Sequence, residues 1–363
     1  MNQGIDYFAG VPDSLLNAFC LELTNKYEDK VTIGVNEGAC VALASGHYIS
    51  TSKTPCVFMQ NSGLGNIVNP YTSLAHKKVY GIPMLYIIGW RGELEIKDEP
   101  QHKFMGEATI PMIETLGIKY KILDKNVTID DVAQYIEEFK EEFKNGQTCA
   151  FVIKKGTFNE SEYKVTNAHQ IIREEAIKHI LTIIGKDCIV VSTTGKISRE
   201  LFEVREKLNM AHDTDFLTVG SMGFASSIAA QIARDTPTKK VYCIDGDGAA
   251  LMHMGSMASI GNLKLNNFTH IILDNELHES VGGVPTVSNT VDWVGLAKAL
   301  GYKGGCVITK NAELAKLKTI KTGELVVIKV AKYSRPDLGR PTSTPSENIA
   351  QLMEFIKKGE NKQ

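Results

Sequence analysis

"VYCIDGDGAALMHMGSMASIGNLKLNNFTHIILDNELHESVGG", residues 241–283, places two short polar clusters at the ends of one apolar unit. "VYCI" (241–244) is β-branched and apolar and reads as a buried strand, with "DGDG" at its carboxyl end. The pattern predicts a helix over 249–263, then "HIIL" (270–273) as the next strand, closed by "DNELH". Strand, helix and strand at this spacing form a crossover that lays the two strands side by side in parallel. Asp247 and Asn275 then leave the sheet together at its carboxyl edge, where open α/β sheets bind ligands.

A carboxylate and an amide oxygen are hard donors. Magnesium takes few such protein ligands and completes its shell with phosphate oxygens and water. The Leu277 carbonyl is a candidate third ligand. Gly246 and Gly248 flank Asp247, where they admit tight-turn dihedrals and let a phosphate approach the backbone. A dinucleotide fingerprint would need a third glycine where Leu251 stands, and no Walker-type G-x-x-x-x-G-K-[ST] follows any expected strand. Either polar cluster alone would read as a turn; together at this spacing they favour a metal–diphosphate site.

The same alternation runs through the chain. "VTIGV" (31–35), "PCVFMQ" (55–60), "PMLYIIG" (83–89) and "CAFVIKKG" (149–156) read as strands, with helices over 37–52 and 128–145. A polar stretch without clear period, 156–170, reads as a linker. Beyond it come a helix at 171–184, strand 187–193, helix 198–208, a strand near 216–219, helix 224–234, a helix near 291–300 and strand 325–331. The expected fold is therefore α/β, with two doubly wound parallel-sheet domains, 1–160 and 161–363. A length of 363 residues suits two domains. A net charge of −2 gives no bulk reason to expect nucleic acid or an anionic membrane as partner. Seven scattered cysteines without a C-x-x-C pair argue against a disulfide framework or zinc site. No signal-peptide pattern opens the chain and no apolar run has membrane-spanning length, so a cytoplasmic location is expected.

The G-D-G and the Asn at the next strand end resemble the thiamine-diphosphate motif, in which these residues hold a magnesium ion on the cofactor's diphosphate. "GVPDSLL" (10–16), "NEG" (36–38), "MQNSGLGNIVNP" (59–70), "IGWRGELEIKDEPQHKFMG" (88–106), "TTGKISRELFE" (193–203), "HESVGG" (278–283) and "RPDLGRPTSTPSEN" (335–348) extend the match. They run in order along nearly the whole chain. Together they resemble the thiamine-diphosphate-dependent 2-oxo acid decarboxylases, and among these the branch acting on phosphonopyruvate.

That resemblance implies a pyrimidine-binding domain first and a diphosphate-binding domain second, with no intervening third domain. It assigns Glu37 to N1′ of the aminopyrimidine, Asp13 and His102 to proton transfer or carboxylate binding, and Asp247, Asn275 and Leu277 to Mg2+. Ser62, Gly63, Gly220, Met222, Gly246 and Gly248 would touch thiamine diphosphate, with Met222 pressing the cofactor's two rings together. Arg91, Lys97, Arg335 and Arg340 are candidate cations for a dianionic substrate. A homo-oligomer with active sites between subunits is implied as well. The implied reaction converts 3-phosphonopyruvate to phosphonoacetaldehyde and carbon dioxide. Sulfopyruvate decarboxylases, whose halves are usually separate chains, are close relatives and give the alternative substrate. A cofactor-binding partner protein without catalysis is the third reading. Taken singly, Glu37 also suits a helix first turn, Asp13 a helix N-cap, Met222 a core position, and each arginine a surface ion pair.

Overall fold

The computed structural model describes residues 4–159 and 167–360. The chain divides into two compact units, Met1–Lys164 with Ser280–Val284, and Val165–Glu279 with Pro285–Gln363. The expected boundary at 160/161 and most of the linker's centre lie outside the described residues.

The first unit has strands Phe8–Gly10, Val31–Ile33, Cys56–Gln60, Leu85–Gly89, Lys119–Leu123 and Cys149–Ile153. Counted in chain order they lie 2-1-3-4-6-5, and every neighbouring pair is parallel. The second unit has strands Ile189–Ser192, Asp215–Leu217, Val241–Gly246, Phe268–Asp274, Gly304–Ile308 and Glu324–Lys329. Counted the same way, and again all parallel, they too lie 2-1-3-4-6-5. The order reverses between the first and third strands, the switch point where such sheets open a crevice beyond their carboxyl ends.

Burial explains why the central strands were legible. Cys149–Ile153 and Phe268–Asp274 are buried at every position, as helices on both faces of a parallel sheet require. In the first unit Leu16, Phe58, Phe139 and Phe151 share one core. In the second, Ile177, Leu201, Ile244, Ile271 and Val326 do so. The helix expected over 128–145 spans Ile129–Lys144; Thr128 and Asp131 form its capping box, and Phe139 and Phe143 its buried stripe.

Several elements escape the periodic reading, among them two strands and two helices of ordinary length. Strand Lys119–Leu123 lies at a sheet edge with Lys119 exposed and Lys121 half-buried, so its composition is not that of a core strand. Gly304–Ile308, at an edge of the other sheet, begins with two glycines. Helix Pro100–Thr115 carries Pro111 inside, and helix Pro345–Glu360 closes the described chain. One expected helix, 249–263, is two: Asp247–Met252 and Gly255–Asn262. His253 leaves helical dihedrals at φ −127°, ψ 42°, and its ring stacks on Phe224 at 4.2 Å. Aromatic packing overrides the local period there.

Candidate cofactor site

In the second unit the strands bearing Asp247 and Asn275 are adjacent and parallel, with Leu273 opposite Gly246. Both side chains therefore leave one edge, as the spacing requires. Asp247 is 2% exposed. Its Oδ2 accepts from Thr286 Oγ1 at 2.5 Å, and backbone N–H groups of Asp247 and Asn275 assist. Burial first, then the charge of Asp274, pushes the Asp247 carboxyl up. Asp274 has its own cation, Lys329 Nζ at 2.7 Å. Among the described residues no Lys, Arg or His forms an ion pair with Asp247 (the salt bridges nearby all end on other acids).

Asn275 is fixed at both ends of its amide. Oδ1 accepts from the Leu277 N–H at 3.1 Å, and Nδ2 donates to Glu279 Oε2 at 3.0 Å. The residue between them, Glu276, sits at φ 61°, a strained value for a residue with a Cβ. An ion pair to Lys329 holds it, and His169 Nε2 lies 3.3 Å from its carboxylate.

Gly248 marks a close approach. A Cβ there would lie 3.1 Å from His278 Cε1 and 3.4 Å from Met222 Cε. The sequence suggested turn dihedrals at Gly246 and Gly248, but neither takes a positive φ; at Gly248 the need is space. Burial pushes the His278 imidazole down to about 4, so it is neutral at neutral pH. Met222 and Gly220 lie in a tight loop with Ser221 at φ 53° and Gly223 at φ 88°. That loop packs on the Asp247 helix, since a Cβ on Gly223 would come 3.0 Å from the Ala249 carbonyl. Met222 is half-buried rather than core. Thr193, after the first strand, is also buried, and its Oγ1 has no hydrogen-bond partner among the described residues.

In the first unit Glu37 opens helix Glu37–Thr51 behind the N-cap Asn36 and is 5% exposed. Its Oε2 accepts from Asn66 Nδ2 at 2.7 Å. A Cβ on Gly63 would lie 2.5 Å from Glu37 Oε1, so that glycine makes room for the carboxylate. Burial, with the Glu37 charge adding to it, pushes the neighbouring Cys40 thiol up to about 12. Asp13 is an N-cap and a buried acid together. It accepts from the Leu15 N–H at 3.1 Å and from Gln60 Nε2 at 2.6 Å, and is fully buried. Burial raises its carboxyl. Gly89 has no Cβ where one would run into Asp13 Oδ2. Ser62 Oγ donates to Gln60 Oε1 at 2.8 Å, completing a chain from Ser62 to Asp13. Gln60, Asn61 and Asn66 were not singled out from sequence, although the "MQNSGLGN" segment contains all three.

The four candidate substrate cations differ. Arg91 forms a fork on Asp98, at 2.8 and 2.5 Å, and donates to Ser14 Oγ at 2.8 Å. Asn61 clamps its backbone at both N and O. Arg335 is engaged by Glu174, Glu203 and Asp337. Lys97 is exposed and makes no ion pair among the described residues. Arg340 is exposed. His102 is half-buried in the first turn of helix Pro100–Thr115; burial, then the Arg91 charge, lowers its imidazole. Among the described residues no helix is long and apolar enough to cross a membrane.

Comparisons with known proteins follow the same division. The model of the thiamine pyrophosphate enzyme N-terminal binding domain matches residues 1–111, and that of the C-terminal binding domain matches 193–330. Phosphonopyruvate decarboxylase of Streptomyces viridochromogenes is 30% identical over 97% of this chain and 92% of its own. The enzyme of the same name from Streptomyces hygroscopicus is 31% identical over 97% and 90%. A sulfopyruvate decarboxylase of Methanosarcina acetivorans is 27% identical over 78% of this chain and 75% of its own. Because that match spans most of one chain, having both halves on one polypeptide does not by itself separate the two substrates. Two binding domains in order, and alignment from end to end with two enzymes of one activity, show that the chain belongs to the thiamine pyrophosphate enzymes, in the family of the phosphonopyruvate decarboxylases.

Proposed function

We propose that this chain decarboxylates 3-phosphonopyruvate to phosphonoacetaldehyde and carbon dioxide, with thiamine diphosphate bound through Mg2+. The observation that carries the reading is the Asp247 loop: a buried carboxylate with no cationic partner among the described residues, beside an amide oxygen of fixed orientation. Burying an ionised carboxylate unpaired is costly, and a divalent ion offsets that cost. The donor set fits magnesium: the Asp247 carboxylate, Asn275 Oδ1 and the Leu277 carbonyl are all hard oxygens.

When bound, thiamine diphosphate supplies the carbanion that attacks the keto carbon and the electron sink for the pair left by carbon dioxide. The chain does the rest. Glu37 would share a proton with N1′ of the aminopyrimidine, held in position by Asn66. Asp13, whose burial favours its neutral form, would carry the proton that completes the aldehyde. Gly220, Met222, Gly246 and Gly248 would support the cofactor from the second unit, and Ser62 and Gly63 from the first. With the forks of Arg91 and Arg335 already on carboxylates, Lys97, which makes no ion pair among the described residues, is the candidate for the phosphonate, and His102 is a neutral donor or acceptor for the substrate carboxylate. We infer a homo-oligomer in which different copies contribute to one active site.

A second reading, sulfopyruvate as substrate, is supported by the single-chain archaeal relative. Carbon dioxide release by the purified protein, with thiamine diphosphate and Mg2+ added, tests both. Faster release from phosphonopyruvate than from sulfopyruvate is expected, and equal rates would overturn the choice of substrate. Sedimentation at several concentrations tests the oligomer; a monomer under turnover conditions would refute it.

A further inference from the structure

We infer that Glu279 is a positioning residue for the metal site: it fixes the Asn275 amide so that the oxygen, not the nitrogen, faces the cation. The inference rests on the reading of Asn275 as a magnesium ligand.

An asparagine amide is nearly symmetric in shape. Turned half over about χ2, it would present an NH2 group to the ion, and a divalent cation cannot use it. Something must break that symmetry. A carboxylate can, because it only accepts hydrogen bonds. Glu279 Oε2 lies 3.0 Å from Asn275 Nδ2, so only the NH2 end can face it. The Leu277 N–H, 3.1 Å from Oδ1, applies the same preference from the other side and leaves one lone pair of Oδ1 free.

Glu279 is itself immobilised. Its Oε2 also accepts from Arg173 Nη1 at 2.6 Å, and its Oε1 from the Ser334 N–H at 2.7 Å. Arg173 is held in turn by a fork to Glu200 at 2.6 and 2.8 Å. The side chains of Arg173, Glu200 and Glu279 are only 5%, 2% and 8% exposed. One guanidinium thus serves two buried carboxyl groups. An ordinary structural salt bridge needs one carboxylate per cation. The second carboxylate here is the one that touches Asn275.

Ligand-orienting partners of this type are worth about 10- to 100-fold in metal affinity. The test is a Mg2+ titration of the apoprotein at saturating thiamine diphosphate, read by the rise in thermal midpoint and by intrinsic fluorescence rather than by turnover. Glu279→Gln is expected to weaken Mg2+ binding by about tenfold or more. In an Asn275→Asp background the same change should cost less than about twofold, because a carboxylate presents oxygen either way round. Equal losses in both backgrounds would mean that Glu279 acts only through general packing, and would overturn the proposal. No loss from Glu279→Gln, with Asn275→Ala still weakening Mg2+, would overturn it and leave the metal reading standing. If neither Asn275→Ala nor Asp247→Asn alters Mg2+ binding, the metal reading itself fails and takes the inference with it. Should Glu279→Gln not fold, Glu279→Asp retains the charge for Arg173 but falls short of Asn275, and the same comparison applies.

Discussion

The two units share one strand order, and both carry most of their candidate groups on the segments after strands one to four. Asp13, Glu37, Asn61 and Arg91 occupy those segments in the first unit; Thr193, Met222, Asp247 and Asn275 occupy them in the second. What differs is how buried acids are held. In the first unit, amides hold the two candidate proton-transfer acids: Gln60 on Asp13 and Asn66 on Glu37. In the second, cations hold several buried acids, Lys329 on Asp274, Arg173 on Glu200 and Glu279 and Arg205 on Asp215, but among the described residues none holds Asp247. A neutral donor adds no charge beside an acid, whereas a nearby cation favours the acid's charged form against the cost of burial. The first arrangement suits groups that exchange protons; the second leaves Asp247 as the acid open to a dication. One scaffold thus serves two electrostatic purposes.

The comparison breaks most sharply at Glu37 and Asp247. Glu37→Gln should lower turnover by about 100- to 10,000-fold while cofactor binding persists. Asp247→Asn should instead abolish Mg2+-dependent cofactor binding. Fluorescence titration beside rate measurement separates the two, and loss of cofactor from the Glu37 variant would erase the contrast. Next comes Arg205→Met, which strands the fully buried Asp215 carboxylate, now joined by bonds of 2.7 and 2.6 Å. Breaking such a pair costs about 3–5 kcal/mol, measurable as a lower urea midpoint. A change below about 1 kcal/mol would show that the pair is dispensable.

Gln60→Glu converts an amide hold into a like charge and should raise the Asp13 carboxyl further. The limb of the kcat/KM profile that depends on Asp13 should then move to higher pH; an unmoved limb would dissociate Asp13 from proton transfer. The smallest effect concerns Asp98. Burial alone would raise its carboxyl, but hydrogen bonds from Arg91, Glu99 and Gly92 hold it well below the usual range. A carboxyl depressed on folding adds stability that is complete above its unfolded value, about 3.9, and fades as pH falls through the folded value. Wild type should therefore exceed Asp98→Asn by about 1–2 kcal/mol at pH 7, the gap closing in stronger acid. A gap independent of pH would remove the electrostatic account.

The Asp247–Asn275 pairing was legible because one crossover fixes it: two strands, one helix, one edge. Glu37 was legible only through resemblance, since a first-turn glutamate is ordinary by itself. Asp13 is the N-cap that its position suits, and it is also fully buried, which local sequence does not reveal. The Arg335 fork joins acids more than 100 positions away, such as Glu174 and Glu203, so no window of sequence reveals it. The same distance hid Glu279, whose anchor Arg173 stands 106 residues earlier. The edge strands Lys119–Leu123 and Gly304–Ile308 were missed because an edge needs no continuous apolar run.

One buried amide gives the last helix a purpose beyond packing. Asn348 Oδ1 accepts from the Leu217 N–H at 3.0 Å, and its Nδ2 donates to the Asp215 carbonyl at 2.9 Å. A single side chain thereby imitates a missing neighbour strand along an open sheet edge. The Leu217 amide proton is consequently a built-in clock for the undocking of helix Pro345–Glu360. Its exchange with deuterium should proceed at the helix's opening rate and accelerate in Asn348→Ala, while core amides such as Ile244 keep their pace.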